Sequence, residues 1–142
     1  MTFVLDCSAT LPWIFDDEAT EATDRLLYDL RDGGMAWVPT LWHLELGNVL
    51  ITAERRKRIN QVRREEFLNK LQAYRITVDD ETTERAWRET LELATRHGLT
   101  TYDAAYLELA LRRRLPLATL DETLRKAATA ARVPLCLAKK RG

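Results

Sequence analysis

Residues 2–8 read Thr2-Phe3-Val4-Leu5-Asp6-Cys7-Ser8. The first four form an apolar, β-prone run too short for a helix, and the run stops at a carboxylate. That is the form of a buried strand with a polar group at its carboxyl end. The same form recurs along the chain. Residues 35–38 (MAWV), 76–78 (ITV), 116–119 (PLAT) and 133–137 (VPLCL) are further short apolar runs. Helical spacing fills the gaps between them. Ala19, Ala22, Leu26 and Leu30 step by three and four, and Gly33-Gly34 stops that helix. A second helix runs through residues 41–58. A third follows Asn60, with Val62, Phe67, Leu68 and Leu71 facing inward. A fourth carries Ala86, Trp87, Thr90, Leu91 and Ala94 on one face and stops at Gly98. Residues 101–113 and 121–131 give two more. Five short strands separated by helices predict an α/β fold with a five-stranded parallel sheet covered on both faces. In such sheets a ligand site lies beyond the carboxyl ends of the strands.

At 142 residues the chain fits one domain, 1–142, with residues 139–142 expected to be a loose tail. Lys plus Arg and Asp plus Glu both number 22, which excludes a globally basic nucleic-acid binder but not a locally basic face. Cys7 and Cys136 stand far apart with no Cys/His cluster, so a disulfide scaffold and a zinc module are not expected. The first fifteen residues lack a basic stretch, and no window of 18 apolar residues occurs. A soluble, cytoplasmic protein with no membrane segment is the expectation.

Most acidic residues sit beside Arg or Lys on solvated faces. Four do not: Asp6 in FVLDCS, Glu45 in LWHLELGNVL, Asp103 in TTYDAAYLELA and Asp121 in PLATLDETL. Taken singly, Asp6 reads as a turn residue, Asp121 as an N-cap, and Asp103 as part of a capping box with Thr100. Glu45 resists such a reading. Its helical neighbours are Leu41, Trp42 and Val49, with Asn48 the one polar residue and no Lys or Arg within a turn. A carboxylate on an apolar stripe is partly desolvated and needs a partner. Together the four are expected to converge at one edge of the sheet. Carboxylates gathered in one pocket repel unless a cation lies between them, and oxygen donors select a hard one, Mg²⁺ or Mn²⁺. Such a site activates water and stabilises charge on a phosphate, so no catalytic His or Cys is needed.

The segments VLDCSA, VPTLWHLELGNVL and TTYDAAYLELALRRRLPLATLDETLRKAA, in this order and spacing, resemble the PIN-domain ribonucleases, and specifically the VapC toxins of VapBC toxin–antitoxin pairs. The resemblance spans residues 3–137. It implies a PIN-like three-layer α/β/α sandwich with a five-stranded parallel sheet. It also implies a Mg²⁺- or Mn²⁺-dependent endoribonuclease acting on RNA. The family's acidic quartet falls on Asp6, Glu45, Asp103 and Asp121 as catalytic residues and metal ligands. Ser8 and Thr119 match hydroxyl positions that support the acids. A homodimer and a VapB-like antitoxin that blocks the active site are implied as well.

Residues 54–64, ERRKRINQVRR, form the densest basic stretch, and Arg55, Arg56, Lys57 and Arg58 are candidate RNA contacts beside the plainer reading of a solvated helix end. Trp13, Ile14 and Phe15 are a candidate dimer surface. His43 and His97 lack metal-ligand spacing and read as structural. A PIN nuclease of RNA processing outside any toxin pair is the main alternative. A dehalogenase-like phosphatase would need an acid at position 8, where Ser8 stands. A purely RNA- or antitoxin-binding module would not need the complete acid set.

Overall fold

A computed structural model describes residues 1–138; the expected tail at 139–142 lies outside the described residues. Among the described residues four strands form one parallel sheet: β1 (Thr2–Leu5), β2 (Met35–Val38), β3 (Ile76–Val78) and β4 (Leu117–Ala118). Their order across the sheet is β3-β2-β1-β4. Register is set by Val4, which lies between Trp37 of β2 and Leu117 of β4. Phe3, Val4 and Leu5 are fully buried, as a central strand covered on both faces requires. The edge strand β3 is more open, and Thr77 and Val78 reach solvent.

Eight helices flank the sheet among the described residues: α1 (Cys7–Thr10), α2 (Glu21–Arg31), α3 (Trp42–Arg55), α4 (Gln61–Gln72), α5 (Thr82–Arg85), α6 (Leu91–His97), α7 (Thr101–Arg113) and α8 (Glu122–Ala130). Local chemistry fixes their ends. Thr20 and Thr23 form a reciprocal capping box at α2, and Asn60 caps α4 through Arg63 N–H. Gly98 leaves the helical course in a left-handed conformation and ends α6. The middle of the core is α7: every residue from Ala104 to Ala110 is buried, and the helix packs on β1 and β4.

Four expectations need correction, the simplest being Val62, which does not face inward on α4 but is exposed, leaving Phe67 and Leu71 as its buried residues. The fifth strand does not form. Residues 133–137 touch β4 at one bridge, Leu117 to Leu135, with Leu117 N–H donating to the Pro134 carbonyl and Cys136 N–H to the Leu117 carbonyl. Pro134 has no N–H to extend a ladder, and β4 offers only two residues to pair with. Trp87 does not face inward but is 91 % exposed. A π-turn over Ala86–Thr90 joins α5 to α6, and the buried stripe is the narrow one of Thr90 and Ala94. Trp13, Ile14 and Phe15 are no dimer surface, because all three are buried in the monomer. The indole N–H of Trp13 donates to the Thr23 carbonyl, and Arg58 stacks on the Phe15 ring at 3.8 Å.

Candidate active site

Parallel strands all point one way, so their carboxyl ends share an edge, and that edge collects the four acids. Asp6 follows β1 and continues its ladder, with Asp6 N–H donating to the Ala118 carbonyl. That bond brings Asp6 beside Thr119, the residue after β4. Glu45 lies in the first turn of α3, and Asp103 in the first turn of α7. Asp121 caps α8, its Oδ2 accepting from Leu124 N–H.

Asp6 is buried inside a closed set of hydroxyl bonds. Its Oδ2 accepts from Ser8 Oγ at 2.6 Å and from Thr119 Oγ1 at 2.7 Å. With their protons so committed, Ser8 accepts from Leu120 N–H and Thr119 from Asp121 N–H. A carboxylate that accepts two hydroxyls is oriented without being neutralised. Asp121 is the expected N-cap, and of the capping box expected at Asp103 one half forms: Thr100 caps α7 by accepting from Asp103 N–H at 3.1 Å. Capping and membership of the pocket coexist, because Asp103 uses its backbone for the cap and keeps its side chain free for the pocket.

The carboxylates act on one another. Burial pushes Asp6 above the ordinary range, against the Ser8 and Thr119 hydroxyls, and Asp121 adds to the rise. Burial likewise raises Glu45, against a hydrogen bond from Tyr106, with Asp6 and Asp103 contributing. Asp103 is pushed up to about 6 by burial, then by Asp121 and Asp6. Among the described residues, no Lys or Arg is among the groups that set these three carboxyls. An all-oxygen donor set with mutual repulsion and no counter-charge among the described residues fits a hard divalent cation. Cys7 adjoins the pocket as an inert thiol, pushed up to about 12 by burial and by Asp6 and Glu45.

A tighter acidic group lies elsewhere. Asp79, Asp80 and Glu81, just past β3, place one oxygen each within 4.8 Å of one another. Among the described residues, no three of the four pocket acids approach so closely. Two of this group's members are already neutralised. Arg112 donates to Asp79 Oδ2 at 2.6 Å, to Glu81 and to the buried Glu108, and Arg113 donates to Asp79 Oδ1. Burial raises the Asp79 carboxyl, but the Arg112 and Arg113 bonds outweigh it and hold the group below its usual range. Arg113 also lies over the Trp37 ring at 3.6 Å. This network ties the end of β3 to the end of α7 and leaves no vacant donor set of the kind the pocket has. Neither its acids nor the role of Arg112 and Arg113 were legible as a unit, since the partners lie more than thirty residues apart.

The basic stretch divides. Arg58 is occupied by Asp17 and Glu18 at 2.7 and 2.9 Å, whereas Arg55, Arg56 and Lys57 are exposed and form no ion pair among the described residues. His43 is exposed and meets Trp42 edge-on.

The fold and pocket define a class: a parallel α/β domain that gathers carboxylates at the carboxyl edge of its sheet. Residues 3–130 match the PIN domain model, and the chain belongs to that family. PIN domains are nucleases that use divalent metals, and the pocket suits that chemistry. No curated protein matches the sequence. Among solved structures, PAE2754 from Pyrobaculum aerophilum is similar with a TM-score of 0.66 and 22 % identity, over 89 % of this chain and 84 % of that one. VapBC2 from Rickettsia felis, bound to a DNA fragment from their promoter, gives 0.62 and 16 %, over 95 % and 97 %. A toxin–antitoxin complex from Klebsiella pneumoniae gives 0.56 and 15 %, over 84 % and 86 %. No helix of the described residues is long and apolar enough to cross a membrane.

Proposed function

We propose that this chain is a divalent-metal-dependent endoribonuclease toxin of the VapC type, held inactive by a VapB-like antitoxin. The observation that carries the reading is the gathering of Asp6, Glu45, Asp103 and Asp121 in one pocket, with no described Lys or Arg among the groups that set Asp6, Glu45 and Asp103. The similar folds found in toxin–antitoxin complexes support the toxin role.

Asp6, Asp103 and Asp121 would hold Mg²⁺ or Mn²⁺, with Ser8 and Thr119 fixing the Asp6 carboxylate. A bound cation supplies a polarised water and neutralises charge at the scissile phosphate. Glu45, in the first turn of α3, would add a further oxygen to the cation and accept the proton of the water held there. Asp121 is already fastened by the Leu124 N–H, so its position does not depend on the substrate. In-line attack of water on an RNA phosphodiester leaves a 3′-hydroxyl and a 5′-phosphate. Arg55, at the end of α3 about 15 Å from Glu45, and Arg56 and Lys57 just past it suit a flanking phosphate of the strand. A homodimer accompanies this reading.

The test is incubation of the purified, antitoxin-free chain with total RNA and Mg²⁺ or Mn²⁺, beside a chelator lane and the Asp103→Asn variant. Discrete cuts lost in both controls are expected. Cuts that persist with chelator, or products ending in 2′,3′-cyclic phosphate, would overturn the mechanism.

A further inference from the structure

Glu45 has one hydrogen-bond partner among the described residues, and it comes from 61 positions away. Tyr106 is fully buried on α7 and donates its hydroxyl to Glu45 Oε1 at 2.5 Å. Each group answers a need of the other. A phenol inside a core requires an acceptor, and a carboxylate on an apolar helix face requires a donor. Nothing on α3 competes, since Leu41, Trp42 and Val49 surround Glu45 and Asn48 is exposed. Tyr106 also follows Asp103 by three residues on the same helix, so α7 carries one acid of the pocket and the donor that aims another. With Oε1 committed to the phenol, Oε2 is the oxygen left for a cation or a water. The arrangement parallels Asp6, whose Oδ2 is held by two hydroxyls.

We infer that Tyr106 is a positioning residue of the acidic pocket: its hydroxyl holds Glu45 so that the second carboxylate oxygen serves the divalent cation. Without it, Glu45 is free to rotate towards solvent, because no other polar group restrains it. The inference rests on the metal-dependent reading above and deepens it. Groups that orient a metal ligand from behind commonly change metal affinity by about 10- to 100-fold when removed.

The experiment measures Mn²⁺ binding to the whole chain by electron paramagnetic resonance of the free ion, without RNA. Four proteins are compared: wild type, Tyr106→Phe, Glu45→Gln and the double variant, each with its melting temperature recorded. Phenylalanine keeps the buried ring and removes only the hydroxyl. Tyr106→Phe is expected to bind Mn²⁺ about 10- to 100-fold more weakly. The double variant is expected to bind like Glu45→Gln alone, since the hydroxyl acts only through that carboxylate. A merely structural tyrosine would lower the melting temperature and leave the affinity alone. Affinity within about twofold of wild type in folded Tyr106→Phe, or the same loss recurring on top of Glu45→Gln, overturns the inference. A wild-type chain that binds no Mn²⁺ overturns the metal-dependent reading itself, and the inference with it.

Discussion

Asp103 shows what a single residue of the pocket costs and what it does. Its carboxyl is pushed up to about 6 by burial and by the neighbouring charges of Asp121 and Asp6. In the metal-free protein at neutral pH it is therefore an unfavourable charge. Asp103→Asn keeps the shape and removes that charge, so the metal-free variant is expected to melt a few degrees above wild type while losing cleavage by at least about 100-fold. Calorimetry beside a cleavage assay checks both halves; a variant that is both less stable and inactive would show that Asp103 is structural. Residues of this kind were legible in the sequence because each broke a local pattern. Glu45 stood on an apolar stripe, and Asp6 closed an apolar strand. Their partners were not legible. No local rule pairs Glu45 with Tyr106, or Arg112 with Asp79, because those bonds exist only once the chain has folded.

At the scale of the element, periodicity and stop signals located the four strands and the longer helices. They failed where a hydrogen-bond pattern departed from the regular one. A π-turn changes which residues of a helix face the core, and Trp87 is the visible result. A proline in the last apolar run left one bridge in place of a strand. Two element junctions carry predictions. Arg112 joins α7 to the end of β3 through buried Asp79, and it also pairs with buried Glu108 on its own helix. Arg112→Leu leaves buried Glu108 without its cation and Asp79 with Arg113 alone, and is expected to cost about 3 kcal/mol, read from denaturant unfolding. Gly34 sits in the turn between α2 and β2, where an added Cβ would lie 2.6 Å from the Asp29 carbonyl oxygen and 2.9 Å from that of Met1. Both are backbone atoms that cannot swing away. Gly34→Ala is therefore expected to destabilise by about 1–3 kcal/mol, whereas Gly47→Ala on α3, with open space around its Cβ, should be neutral or slightly stabilising in the same measurement.

For the whole molecule, equal numbers of acids and bases hide two opposed acidic populations. The pocket acids Asp6, Glu45 and Asp103 have raised values in the folded state, so folding favours their protonated forms. Stability from that source is complete below the unfolded carboxylate range, about 4; the Asp103 share is lost as pH rises through about 6, and Asp6 and Glu45 lose theirs in the same direction. Asp79 behaves oppositely. Its value is lowered by Arg112 and Arg113, so its contribution is present above about 4 and is lost as pH falls through the lowered value. The two windows meet without overlapping, and the metal-free chain is expected to melt highest near about pH 4, falling on both sides. A divalent cation changes only the upper limb. Its ligands must be deprotonated, so Mn²⁺ should raise the melting temperature strongly at pH 7.5 and little at pH 5. Thermal melts at both pH values, with chelator and with Mn²⁺, separate the contributions. A metal-free melting temperature that stays flat between pH 5 and 7.5 would mean that the four carboxylates do not share one field. In that case the pocket would lose its claim on a cation, whatever the fold resembles. A limb that falls with pH and recovers with Mn²⁺ would tie the charge stored at the sheet edge to the ion that the proposed chemistry requires.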